Sequence, residues 1–252
     1  MSLPPLSSSS SLRPAAALLE GASLFLDLDG TLLDLEDRPE DVRADEALRT
    51  LLGALGVRLQ GRLAVVSGRS LAQIDTILGE AADGLAVSGS HGCEHRWNGV
   101  EARPARPPAL DRAAERLRAF AGGRPGLLVE EKSFGVALHY RLAPEAEAEA
   151  RILAAALAEE LDLCLQPGKM VAELRVAGGD KGRVVHRLMD RPPMRGTRPV
   201  FVGDDVTDEA GFVAARALGG HGVLIGAARA TAADHRLDSP AALRAWLAEA
   251  VR

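Results

Sequence analysis

Two aspartates, Asp27 and Asp29, stand two positions apart in "SLFLDLDGTLLDL" (Ser23–Leu35), behind an apolar run and ahead of a Gly-Thr pair. Carboxylates that close repel each other, and burial raises the cost of charging either. Such a pair points to a nearby cation, or to chemistry that uses both groups. An aspartate can attack phosphorus to give an aspartyl-phosphate, dividing one hard displacement into two easier ones. A second carboxyl beside it can protonate the leaving alcohol and then take a proton from the attacking water. This logic makes Asp27 the nucleophile and Asp29 the acid/base, held in different protonation states. Gly30 and Thr31 follow as a turn whose backbone N–H groups can face phosphate oxygens.

Three further segments bring polar groups to the ends of apolar runs or helices. "RLAVV" leads into Ser67, a hydrogen-bond donor for phosphate, and "PVFV" leads into the acidic "GDDVTDE". Lys181 opens a helical pattern and can balance developing phosphate charge. Carboxylates from separate segments can converge on a hard cation, and Mg²⁺ takes few protein carboxylates, with water and phosphate completing its shell. Plainer readings stand beside these. Ser67 also suits the cap of a helix starting near Leu71. Asp208 and Glu209 suit a helical first turn, where the dipole favours acids. The same dipole disfavours a lysine at a helix start, so Lys181 reads better as functional.

The elements that must position these groups follow from pattern. "SLFL", "RLAVV", "GLAV", "PVFV" and "GVLI" are apolar at consecutive positions, as in parallel strands buried on both faces. Helical patterns lie between them at 46–55, 71–78, 181–190 and 209–217. The alternation predicts an α/β, doubly wound parallel sheet, with ligands gathered at the strands' carboxyl ends. From 108 to 177 the rhythm changes to helix, strand, strand, helix, strand, strand, which predicts a smaller inserted α+β domain. Proline-rich "GVEARPARPP" and glycine-rich "AGGD" read as its hinges. The expected organisation is a lead-in over 1–20 without structure, a discontinuous core of 21–107 and 178–252, and an inserted domain of 108–177.

Composition narrows the classes. The 252 residues are 47% hydrophobic, enough for a large core, and the net charge of −5 with no basic run argues against nucleic-acid binding. No apolar stretch has the length of a membrane span. Cys93 and Cys164 lie far apart without metal-ligand spacing, so both read as small buried residues, and a reducing cytoplasm fits best. His139 and Tyr140 read as strand residues, and Trp97 and Trp246 as packing anchors.

The motifs "DLDGTL", "VVSGR", a lysine before the last motif, and "FVGDDVTDE" together resemble, in order, the four motifs of the haloacid dehalogenase-like phosphatases. The resemblance implies Asp27, Asp204 and Asp29, the last through its backbone carbonyl, around Mg²⁺. Asp205 and Asp208 are then supporting carboxylates, Asp208 the more distant, and Gly68 and Arg69 join Ser67 at the phosphate. "SGSHGCEH", "EEKSFGVALHYR" and "PGKMVAELRVAGGDKG" extend the resemblance, from Ser23 to the C-terminus, to the trehalose-6-phosphate phosphatases. It implies that Glu131, Lys132 and Glu173 in a cap domain hold the disaccharide hydroxyls. It also implies that His91, with Gly92, forms a turn near the junction of core and cap.

On the residues alone, Glu131 and Lys132 equally suit a solvated hairpin pair, and Glu173 a strand surface. The expected activity is Mg²⁺-dependent hydrolysis of trehalose 6-phosphate by a cytoplasmic monomer. Alternatives are a phosphatase or phosphomutase for another sugar phosphate, such as sucrose phosphate, mannosylglycerate phosphate or a hexose phosphate. A silent binding module would lack the nucleophile or a metal ligand, and neither is missing.

Overall fold

The computed structural model describes residues 13–36, 41–168, 170–176 and 179–252. In chain order these form β1 (Ala22–Leu26), α1 (Glu46–Arg58), β2 (Leu63–Val66), α2 (Leu71–Leu78), β3 (Ala86–Gly89), β4 (Glu94–Trp97) and β5 (Val100–Ala102). Next come α3 (Pro108–Ala121), β6 (Leu128–Lys132), β7 (Gly135–His139), α4 (Glu147–Glu160), β8 (Leu163–Gly168) and β9 (Val171–Val176). The chain ends with α5 (Lys181–Met189), β10 (Arg198–Gly203), α6 (Glu209–Ala217), β11 (His221–Ile225), β12 (His235–Leu237) and α7 (Pro240–Ala250). Two compact units result, one of Asp180–Arg252 joined to the residues up to Ala102, the other Arg103–Gly179.

The first unit is built on one sheet in the order β12-β11-β10-β1-β2-β3-β4-β5. The six strands from β12 to β3 pair parallel, and β4 and β5 add an antiparallel edge. Every residue of β1 is buried, which explains the apolar run at 24–26, and buried Ser23 shares a hydrogen bond with Thr197. Leu24 and Leu26 join the core formed with α1, α2 and α7, while Phe25 packs with α5 and α6 on the other face. Chain order reverses at β1, whose neighbours are β2 and β10. The carboxyl ends at such a switch point are where open α/β sheets hold their ligands.

The second unit is a four-stranded antiparallel sheet, β6-β7-β9-β8, with α3 and α4 packed on one face. Val136, Leu138 and Tyr140 of that region, with Ala172 and Leu174, point into this core. The intervening Gly135, Ala137 and His139 take the other face by strand alternation.

Several sequence expectations need correction. Residues 1–12 of the lead-in lie outside the described residues, but Ala16–Leu19 form a short 3-10 turn with Leu19 buried in the core. Cys164 is exposed rather than buried, because it pairs across from Arg175 on the face of the sheet that the helices do not cover. β4, β5, β12 and α7 were not anticipated. The β4–β5 hairpin turns at Asn98-Gly99, both at positive φ, the dipeptide that tight hairpins favour.

Candidate active site

Asp27 follows β1 directly and donates its backbone N–H to Val202 O of β10 at 3.0 Å. Its carboxylate is therefore fixed at the switch point, and it is almost fully buried. Lys181 Nζ lies 2.6 Å from Asp27 Oδ1 and 2.6 Å from Asp208 Oδ1, buried between them. Asp180 caps α5 through the Arg183 N–H, so the helix begins where it delivers Lys181 to this pair. Asp208 is fully buried, and its other oxygen accepts the N–H groups of Asp204 and Asp205 at 3.0 Å each. Thr31 Oγ1 reaches Asp204 Oδ1 at 3.0 Å and Asp27 Oδ2 at 3.4 Å.

The side chains of Asp27, Asp204 and Asp208 thus form one cluster, with ligand oxygens within 4.8 Å of one another. Gly30, at φ +75°, makes the approach possible: a Cβ there would run into the Asp204 carboxylate. One expected ligand stands apart from it. The Asp205 side chain is exposed and accepts the Val206 N–H at 2.6 Å, capping the turn before α6. The Asp29 carboxylate is gripped by Arg69, with Nε at 2.7 and 3.0 Å and Nη2 at 2.7 Å. Arg69, expected at the phosphate, is therefore engaged with the acid/base candidate. The Gly30 N–H, also expected there, donates to Leu33 O at 2.8 Å.

Electrostatics show what the cluster lacks. Burial pushes the Asp27 carboxyl up, Lys181 pulls it back, and Asp208 and Asp204 push it up again, leaving a pKa of about 8. Burial and Asp208 likewise raise Asp204 to about 6, against the Thr31 hydrogen bond. Burial opposes the Lys181 charge, but Asp27 and Asp208 outweigh it and hold the ammonium charged. Three carboxylates facing one ammonium have an excess of negative charge and of oxygen donors, which fits a hard divalent cation. Asp27 must lose its proton to ligate, so metal binding displaces that proton. Apparent affinity for a divalent cation is expected to rise roughly tenfold per pH unit from about pH 6 towards pH 8, then level off. Calorimetry in buffers of different ionisation heat checks this; a pH-independent affinity would count against it.

Ser67 follows β2 directly and is buried. Its Oγ accepts the Arg69 N–H at 3.1 Å, and Ser70 rather than Ser67 caps α2, in a capping box with Gln73. The His91 turn is sewn onto the same loop: Ser90 N donates to Arg69 O, and His91 N to Ser67 O. The His91 ring covers Gly68, where a Cβ would meet Cε1 and Nε2 at 2.7 Å. Buried Glu94 anchors the arrangement by accepting from Ser90 Oγ at 2.7 Å and Leu71 N at 3.2 Å. Arg229 does the same for the acidic loop, donating to Asp205 O at 2.8 Å, Asp204 O at 3.3 Å, and the Glu209 carboxylate. Arg229 lies outside every motif, and Glu94, inside "SGSHGCEH", reaches from that motif to Leu71 at the start of α2.

In the second unit, strand register separates the three expected sugar contacts. Lys132 Nζ donates to Glu173 Oε2 at 2.8 Å on the face away from the helices. Glu131 pairs across from Val136, which is buried under the helices, and it bonds Arg118 of α3 and Arg106. Glu131 is therefore on the opposite face. Its neighbour Glu130 shares a row with Ala137, Glu173 and Gln166, and meets His139 Nε2 at 2.8 Å. The His139 bond holds the Glu130 carboxyl below its usual range.

A buried aspartate at the end of β1, bridged by a lysine to an acidic loop, on a haloacid dehalogenase-like α/β fold, defines the class as a phosphoric monoester hydrolase. Comparison with known proteins is specific within that class. A profile of the trehalose-phosphatase family matches residues 25–241, and the chain belongs to that family. A protein of Sinorhizobium fredii named "Probable trehalose-phosphate phosphatase" is 39% identical over 82% of this chain and 79% of its own. The Escherichia coli trehalose-6-phosphate phosphatase is 36% identical over 88% of this chain and 84% of its own. The crystal structure of a trehalose-6-phosphate phosphatase related protein superimposes with a TM-score of 0.75 at 27% identity, covering 90% of this chain and 96% of that one. Among the described residues, no helix is long and apolar enough to cross a membrane.

Proposed function

We propose that this protein hydrolyses trehalose 6-phosphate to trehalose and phosphate, using Mg²⁺, in the cytoplasm. Family membership supports the substrate. The observation that carries the chemistry is the buried Asp27 carboxylate, held 2.6 Å from Lys181 inside the aspartate cluster. Asp27, Asp204 and Asp208 would hold Mg²⁺, which when bound supplies positive charge for the phosphate oxygens. A carboxylate oxygen of Asp27 attacks phosphorus, and the sugar oxygen departs with a proton from Asp29. Water then gives a proton to Asp29 and attacks the aspartyl-phosphate, releasing phosphate and restoring Asp27. Proton transfer requires an Asp29 oxygen to leave the Arg69 fork and face the sugar oxygen. Lys181 and Ser67 offset charge on the phosphate. Phosphate release from a panel of sugar phosphates, with and without Mg²⁺, tests this reading. Preference for another sugar phosphate, or metal-independent release, would overturn it.

The sugar hydroxyls are taken, on this reading, by Glu130, Lys132 and Glu173, with Glu131 in a supporting ion-pair role. A hydrogen bond to a charged group contributes about 1.5–3 kcal/mol, so Glu130→Ala or Glu173→Ala should lower kcat/KM for trehalose 6-phosphate about ten- to a hundredfold. Glu131→Ala should change it little, and a small phosphomonoester without the second sugar should be indifferent to all three. Steady-state kinetics on both substrates decide the matter. An effect of Glu131→Ala equal to that of Glu173→Ala would reject the assignment of faces.

A further inference from the structure

Several of the described arginines are matched to acids, as in Arg96 with Asp75, Arg229 with Glu209 and Arg244 with Asp45. A half-buried cationic group on α5 has no such match. Arg187 on α5 is half-buried, and Arg191 follows one turn later. Among the described residues, no acidic side chain forms an ion pair with either. Arg187 Nη2 donates to Gly92 O at 3.3 Å, which places it at the turn leading into β4. His95 on β4 completes the group. Burial lowers its pKa, and Arg187 and Arg191 lower it further. Burial and Arg191 act on Arg187 in the same sense, against Cys93. Arg187 Nε and His95 Nδ1 are both buried without a hydrogen-bond partner.

Like charges gathered at a half-buried site, with orphaned polar atoms among them, indicate a missing anion. Guanidinium forks match the oxygens of phosphate-type anions, and two forks with an imidazole exceed what one carboxylate accepts. We propose that Arg187, Arg191 and His95 form a binding site for a phosphate-type oxyanion, separate from the reaction centre. Arg187 lies six residues beyond Lys181, about 9 Å along the helix. Its bond to Gly92 O links an occupant to the turn that carries His91. The anion is either free phosphate, the product itself, or the phosphate group of a small metabolite.

The test uses the full chain with histidines isotopically labelled and a chelator present to stop turnover. Inorganic phosphate and, in a parallel arm, glycerol phosphate are titrated at constant ionic strength. The His95 ring signals are followed by NMR. A saturable shift is expected, with the His95 pKa rising about one unit when the anion binds. Arg187→Gln should weaken binding about tenfold or more, and the tighter arm identifies the source. No saturable response in either arm overturns the proposal. So does an unaltered response in Arg187→Gln that melts like the wild type. Should that variant fail to fold, Arg191→Gln, at an exposed position, takes its place: weakened binding supports the site, and unaltered binding overturns it.

Discussion

Asp27→Asn is expected to show no measurable turnover while keeping its fold. The change removes the attacking charge with almost no change in volume, so the packing at the end of β1 should tolerate it. Stability gives an independent reading. In the metal-free protein burial raises Asp27 to about 8, from 3.8. The unfolded chain gives up this proton near pH 3.8 while the folded protein holds it to about pH 8, so folding free energy is lost progressively between those values and levels off above pH 8. Asparagine never ionises, so the variant without metal should melt at or above the wild-type temperature at pH 8. Asp29→Asn makes the contrast. General acid catalysis is worth about 10²–10⁴-fold, and a leaving group that needs no proton restores part of that loss. Nitrophenyl phosphate should thus partly rescue Asp29→Asn and do nothing for Asp27→Asn. Equal rescue of the two would contradict the assigned roles.

Lys181→Met should damage both stability and turnover. The lysine is buried against two carboxylates, each 2.6 Å from its nitrogen. Removing one partner from a buried charge network typically costs about 3–5 kcal/mol, because the remaining charges are left uncompensated. For a chain of this size that is a fall of about 6–20 °C in melting temperature. The loss should be largest without metal and at alkaline pH, where the three aspartates most need a counter-charge. Added Mg²⁺ should recover part of the stability but not the lost contact with phosphate. Calorimetric melting with and without Mg²⁺ separates the two effects. A variant that melts like the wild type without metal would show that Lys181 does not hold the cluster together.

The parallel sheet and most helices were legible because burial on both faces leaves unbroken apolar runs and helices leave a 3.6-residue period. The four motifs marked Asp27, Ser67, Lys181 and the acidic loop because each follows a strand or, like Lys181, opens a helix. The β4–β5 hairpin escaped because Glu94, His95 and Arg96 carry no hydropathy signal, although Asn98-Gly99 was a readable turn. α7 had its own signal in Ser239-Pro240, a cap followed by the proline that suits a first helical turn. The acidic loop shows a deeper limit. Asp205 and Asp208 are interchangeable in composition, and only the turn before α6 decides which one points inward. Glu130 and Glu131 are similar: one step of strand register sends neighbouring glutamates to opposite faces. Arg229 was unreadable because its partners are set by folding, and the reach of Glu94 to Leu71 was hidden for the same reason.

Asp27 and the lysine that contacts its carboxylate are 154 residues apart in the chain. During synthesis β1 is made early, but its neighbour β10 and α5 emerge only after the whole second unit has left the ribosome. The second unit is one continuous segment, with local hairpins and helices, and can acquire its structure first. The parallel sheet must wait with a bare apolar edge beside β1, the kind of long-range pairing that is slow to close. Premature termination within the second unit therefore leaves a fragment with Asp27 and Asp29 but no lysine, no acidic loop and an unpaired strand. Such a fragment exposes an unpaired strand edge, and is expected to be held by chaperones or degraded and to show no phosphatase activity.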